Sequence, residues 1–280
     1  MTPIHDQGYR RYGGTKARHG RTWWVIARAG ILERIRERRF LALLLFAWFP
    51  FIVRAVQMYV ASSVSQATFL APSAETFREF LDQQSIFVFF VTIYVGSGLI
   101  ANDRRANALQ IYLSKPLTRV EYIAGKLVTL LAFLTAVTWV PAVLLLLVQM
   151  MFAGSTAFVR ANLFLIPAIT LFAAIQVLLS ACAMLALSSL TKSRRFVAIM
   201  YAGIIFFTAA MYQALGAITG SRAWAWISPE DVLDVLAAGI FRSPGSPAIS
   251  VPAALLVVGV LISASIWILE RRVRAVEVVT

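Results

Sequence analysis

Six long apolar runs, each closed at both ends by charged or turn-forming residues, organise this chain. They lie at roughly Phe40 to Ala61, Ser85 to Ala101, Leu127 to Ala153, Leu163 to Leu190, Val197 to Thr219 and Val251 to Leu269. A helix needs ~17 to 25 residues to cross the hydrocarbon core, so each run predicts a transmembrane helix. Pro141 and Pro167 are expected to kink or interrupt spans three and four, because proline lacks an amide and clashes with the carbonyl four residues back. The pattern predicts an all-α integral membrane fold.

The segments between the runs have periodicities of their own. In residues 22–39, Trp24, Ala27, Ile31 and Ile35 share one helical face, while Arg34, Arg36, Glu37 and Arg39 lie largely off it. That predicts an amphipathic helix in the inner interface, its basic residues near anionic lipid. In the loop 102–126, Asn102 or Asp103 is a candidate N-cap, and Ala106, Leu109 and Leu113 fall at helical spacing. Arg104, Arg105 and Gln110 lie off that ridge. Ser114-Lys115-Pro116 ends the short helix. Thr118 and Glu121 then spell a capping box for a helix running on into span three. Between spans five and six, Ser228 is a good N-cap, Pro229 suits the first helical position, and acids follow. Val232, Leu233, Leu236 and Ile240 make its apolar face, which predicts a short interfacial helix on the outer leaflet.

Composition agrees with lipid as the solvent. Of 280 residues, 60% are apolar and 14% charged, against about a quarter charged in soluble domains. A net charge of +13 raises nucleic acid as a partner. The basic residues, however, cluster beside the ends of the apolar runs, which excludes it. The first run begins behind a long basic segment, so it is expected to stay as an anchor. The chain divides into a disordered basic leader (1–21), an interface helix (22–39), a six-span domain (40–269) and a cytoplasmic tail (270–280).

Charge also sets the orientation. Twenty-one Lys or Arg flank the spans on the side of the termini and the loop 102–126, and four lie on the other side. The positive-inside rule then places both termini in the cytoplasm. Trp23 and Trp24 before span one, and Trp224 and Trp226 after span five, fit the two interfaces.

Reaction chemistry is missing from the pattern. No Gly-x-x-x-x-Gly-Lys-Ser/Thr loop and no His-Glu-x-x-His helix occurs, and both histidines, His5 and His19, lie in the leader. The one cysteine, Cys182, cannot form an intrachain disulfide. No catalytic residue, metal site or cofactor is expected in the chain. Arg54 is the one basic residue inside a span. Snorkelling to the outer interface is the simpler expectation for it. Alternatively Arg54 and Gln57, one turn apart, line a polar pathway.

The loop 102–126 resembles the coupling loop of ABC-2 type transporter permeases. The matching residues are Asp103-Arg104, Leu109 to Leu113, Pro116-Leu117-Thr118-Arg119, Tyr122 and Lys126. Asn107-Ala108 stands where many members have Gly-Thr. Ser228-Pro229-Glu230-Asp231 is a second, shorter match. The resemblance implies the membrane half of an ATP-driven exporter in a prokaryotic inner membrane. It implies a dimer, most simply a homodimer, with two separate ATP-binding subunits that carry ATP and Mg. Asp103, Arg104, Arg105, Leu109, Tyr112, Leu113, Pro116 and Arg119 are then the candidate contacts with those subunits. The layout is also similar to permeases of nitrous-oxide reductase maturation, which leaves force transmission to a periplasmic partner open. A channel or passive membrane scaffold is the rival from another class.

Overall fold

The computed structural model describes residues 22–63, 73–108, 118–153, 157–243 and 248–273. The leader 1–21, the ridge 109–117 and the tail beyond Val273 lie outside them. The described chain is helical, without strands. Six helices are long and apolar enough to cross a membrane: Arg38–Ser63, Ala74–Arg105, Arg119–Phe152, Leu165–Leu190, Arg194–Thr219 and Val251–Arg272. They are spans one to six.

Span two begins at Ala74, not at Ser85. Glu75, Arg78, Glu79 and Asp82 depress the apolar signal of its first turns. The helix forms there because Phe77, Phe80 and Leu81 on its other face are fully buried. A capping box between Ser73 and Thr76 starts it.

Prolines shape the spans unequally. Span three is interrupted at Thr138, between helices Arg119–Val137 and Trp139–Phe152. Pro141 forces this, since its ring would meet the Val137 carbonyl. The Thr138 hydroxyl donates to Leu134 O at 2.8 Å, in the last turn before the break. Span one is likewise interrupted at Trp48, just ahead of Pro50. Pro167 does not interrupt span four. It is the third residue of Leu165–Leu190, where the amide would have no helical partner anyway.

Spans two and four form the core, with 67% of each apolar window buried, against 17% for spans one and six and 11% for span five. Between apolar helices in lipid, close packing replaces the hydrophobic effect as the source of cohesion. Gly96 provides such an approach: a Cβ there would stand 2.4 Å from Met184 Cγ of span four.

The interface helix is Thr22–Ile35. It packs against span three through small residues. A Cβ on Gly125 would meet Trp23 O at 2.8 Å, and one on Gly30 would meet Thr129 Oγ1 at 2.9 Å. The expected apolar face therefore splits. Ala27 is buried, but Trp24 and Ile35 remain exposed, and Arg34 is buried instead. Glycine carries no hydropathy signal, so the packing face was invisible to periodicity.

The helix Pro229–Ile240 does not lie flat on the outer surface. Its end reaches Val251 at the start of span six, where a Cβ on Gly239 would be 2.6 Å from Val251 Cγ2. Its start shares a cavity wall with Leu261, which a helix places roughly 15 Å further along span six. It thus runs beside the outer half of span six as a re-entrant helix. Val232 and Leu236 are buried as expected, joined by Val235 and Ala237. Ser228 caps it by accepting from Asp231 N at 3.4 Å.

Candidate functional site

The inner end of span two gathers most of the buried polar contacts between spans. The helix there is irregular, with a π turn at Thr92–Gly96, a loose stretch through Gly98, and a short helix Ala101–Arg105. Such a path leaves backbone groups without helical partners, which lipid cannot satisfy. Span four supplies the remedy. Ser188 Oγ accepts from Ile100 N at 3.2 Å and Ala101 N at 3.1 Å, and donates to Ser97 O at 3.0 Å. Span five adds Arg194, whose guanidinium donates to Tyr94 O at 2.8 Å and lies 5.3 Å from the Tyr94 ring centre.

The elbow before span one joins the same junction. The Tyr94 hydroxyl donates to Glu37 Oε2 at 2.9 Å, and Arg34 donates to Glu37 Oε1 at 2.6 Å. Glu37 thus links the end of the interface helix to span two.

Span three closes the base of the loop. Lys126 Nζ lies 2.7 Å from Asp103 Oδ2, and the Tyr122 hydroxyl donates to the same oxygen at 2.7 Å. The two charged side chains are 15% and 17% exposed, so the pair is largely desolvated. Arg104 donates to Ser189 O at the end of span four. The capping box read from the sequence is present. Glu121 N donates to Thr118 Oγ1 at 3.2 Å, and Thr118 N to Glu121 Oε2 at 3.0 Å.

The structure brings Asp103, Arg104, Tyr122 and Lys126 together, but as contacts within the chain. Arg105 and Arg119 are exposed. Leu109, Tyr112, Leu113 and Pro116 lie outside the described residues. Asn102 and Asp103 do not cap a helix; both sit within Ala101–Arg105. Asn107 takes φ +53°. Asparagine is among the few residues besides glycine that tolerate that region.

Arg54 and Gln57 also meet, on the half of the bundle away from the loop 102–126. Arg54 donates to Gln57 Oε1 at 3.2 Å and pairs with Glu79 of span two at 3.0 Å, with Gln83 Oε1 at 3.4 Å. Arg54 is 11% exposed and Glu79 50%. The guanidinium is held between spans one and two, by residues of span two that precede the apolar run from Ser85.

Sequence reasoning missed Glu37, Tyr94, Ser188 and Arg194. The one available signal was Gly96-Ser97-Gly98 inside an apolar run, which marks a weakened helix in need of outside hydrogen bonds.

A family model described as ABC-2 family transporter protein matches residues 24–271. No curated protein matches the chain.

Proposed function

Because the chain belongs to the ABC-2 transporter family, and is a multi-pass membrane protein, we propose that it is the membrane subunit of an ATP-driven exporter. Two separate ATP-binding subunits carry ATP and Mg and drive it from the cytoplasmic side. Two copies of the chain assemble as a homodimer in a prokaryotic inner membrane, with both termini inside. The weakly buried spans one and five, which leave Phe46, Phe49, Phe206 and Phe207 exposed, are the faces available for that contact.

One observation carries this reading. The loop after span two is fastened at its base to spans three and four and is not a loose tether. Asp103 binds Tyr122 and Lys126 of span three, and Arg104 reaches span four. A push on the candidate contacts Leu109, Tyr112, Leu113 and Pro116 then moves the inner ends of spans two, three and four together. Arg105 and Arg119, both exposed, are the charges free to face the ATP-binding subunit. Arg54, Gln57, Glu79 and Gln83 form a polar group on the outer half, and we assign it to the pathway.

Purification of tagged protein from its native membrane tests the proposal. A stoichiometric ATP-binding subunit in mild detergent is expected. Its absence favours a channel or scaffold. Cysteines at Gln7, Gln110 and Gly245 in a Cys182→Ala background test the orientation with an impermeant thiol reagent: Gly245 alone should label in intact cells.

A further inference from the structure

Beneath the start of the re-entrant helix lies a cavity of about 270 Å³. Spans two, four, five and six complete its walls, with Phe89, Leu179, Ile205 and Ile268 supplying apolar surface. Gln176 of span four lines it, is 3% exposed, and has an Oε1 without a hydrogen-bond partner among the described residues. An unsatisfied buried acceptor is costly, so a donor that reaches it from the cavity is stabilised.

The charge around the cavity has one sign. Glu230, the second residue of the re-entrant helix, stands in its wall. Asp231 and Asp234 of the same helix and Asp82 of span two lie close enough to interact with it. Arg78, the base that acts on Asp234, is engaged by Glu75 at 2.6 Å. No Lys or Arg stands among the described residues lining the cavity. An apolar chamber with an unmet acceptor and a carboxylate in its wall is complementary to a hydrophobic body bearing a protonated amine. An anionic amphiphile is repelled by the carboxylate, and a neutral one can donate to Gln176 but leaves the carboxylate unbalanced.

We propose that this cavity binds a lipophilic cation, whose ammonium donates to Gln176 and is balanced by Glu230. The proposal deepens the exporter reading by naming a substrate class, and rests on that reading for its consequence but not for its measurement. The test uses the full chain in nanodiscs of neutral phosphatidylcholine. The probes are 2-(1-naphthyl)ethylamine, its neutral N-acetyl derivative and naphthylacetate, read by fluorescence.

Saturable binding of the amine is expected, at least tenfold weaker for the N-acetyl derivative and absent for the carboxylate. Gln176→Leu and Glu230→Gln should each weaken amine binding about tenfold. Thermal melting checks that both variants fold; Glu230→Gln keeps the shape of the side chain, so it remains usable if Gln176→Leu does not fold. Equal binding of amine and N-acetyl derivative, no saturable binding, or amine binding indifferent to Glu230→Gln overturns the proposal. Co-purification of the ATP-binding subunit is scored on the same preparations. Its retention without amine binding sinks the cavity alone; amine binding without it sinks the exporter reading alone.

Discussion

The Tyr94 hydroxyl donates to the Glu37 carboxylate at 2.9 Å, tying the elbow before span one to the π turn of span two. The bond crosses between two elements that a moving ATP-binding subunit would push separately. Tyr94→Phe removes one hydrogen bond to a charged acceptor, worth about 1.5 to 3 kcal/mol. Arg34 still holds Glu37, so insertion and abundance should be near normal. Transport or coupled ATPase activity should fall several-fold, measured on complexes of equal subunit ratio. Unchanged coupling in Tyr94→Phe would mean that the elbow is only a structural brace.

Gly96 offers a sharper structural test. Met184 Cγ would be 2.4 Å from a Cβ at that position, and Leu130 Cδ2 3.0 Å. Gly96→Val should therefore cost about 1 to 3 kcal/mol by overpacking and lower the melting temperature in nanodiscs. Met184→Ala removes the atom in conflict and should restore much of the loss. Failure of that rescue would place the cost in the backbone of the π turn and not in the contact with span four.

Much of this architecture was legible because lipid imposes a single demand on every span. The apolar runs, the Thr118–Glu121 capping box and the Ser228 cap are local signals, and each is found where the residues place it. What escaped was relational. Ser188 and Arg194 look like ordinary residues at span ends until the break at Gly96 supplies atoms for them to bind. Asp103 and Arg104, candidate contacts with a partner subunit, also bind Lys126, Tyr122 and Ser189 within the chain, and sequence spacing cannot say which groups meet across a loop. The start of span two was misplaced because its buried Phe77 and Phe80 share a helix with four charges.

The outer acids predict a pH dependence. Burial raises the Asp234 carboxyl to about 6 from an ordinary 3.8, with Asp82 and Asp231 pushing the same way and Arg78 opposing. Burial and the same acidic neighbours raise Glu230. A carboxyl raised by folding binds its proton more tightly in the native state, so stability falls as pH rises between the two values. The melting temperature in nanodiscs should therefore rise as pH is lowered from about 6.5 toward 4.5. Asp234→Asn should raise it at pH 7.5 and flatten the profile. A profile that Asp234→Asn leaves unchanged would assign the titration elsewhere.

The base and the tip of the loop after span two should fail in different ways. Asp103 is an internal tie, with Lys126 and Tyr122 both at 2.7 Å. Asp103→Ala strands a largely desolvated ammonium, at about 3 kcal/mol, so it should lower the melting temperature of the permease itself. Lys126→Met in the same chain removes the stranded charge and should recover part of that loss. Leu109→Asp lies at the tip and should leave the melting temperature unchanged. Burying a leucine is worth ~1.5 to 3 kcal/mol, or one to two decades of affinity, and an unpaired carboxylate in a partner's groove costs more. Leu109→Asp should therefore lose the ATP-binding subunit on co-purification while inserting and dimerising normally. Arg105→Ala, an exposed charge, should be milder than either. Retention of both the subunit and ATP-dependent activity in Leu109→Asp would remove the tip from the coupling path. The fastened base would then serve only to seal the inner end of the bundle.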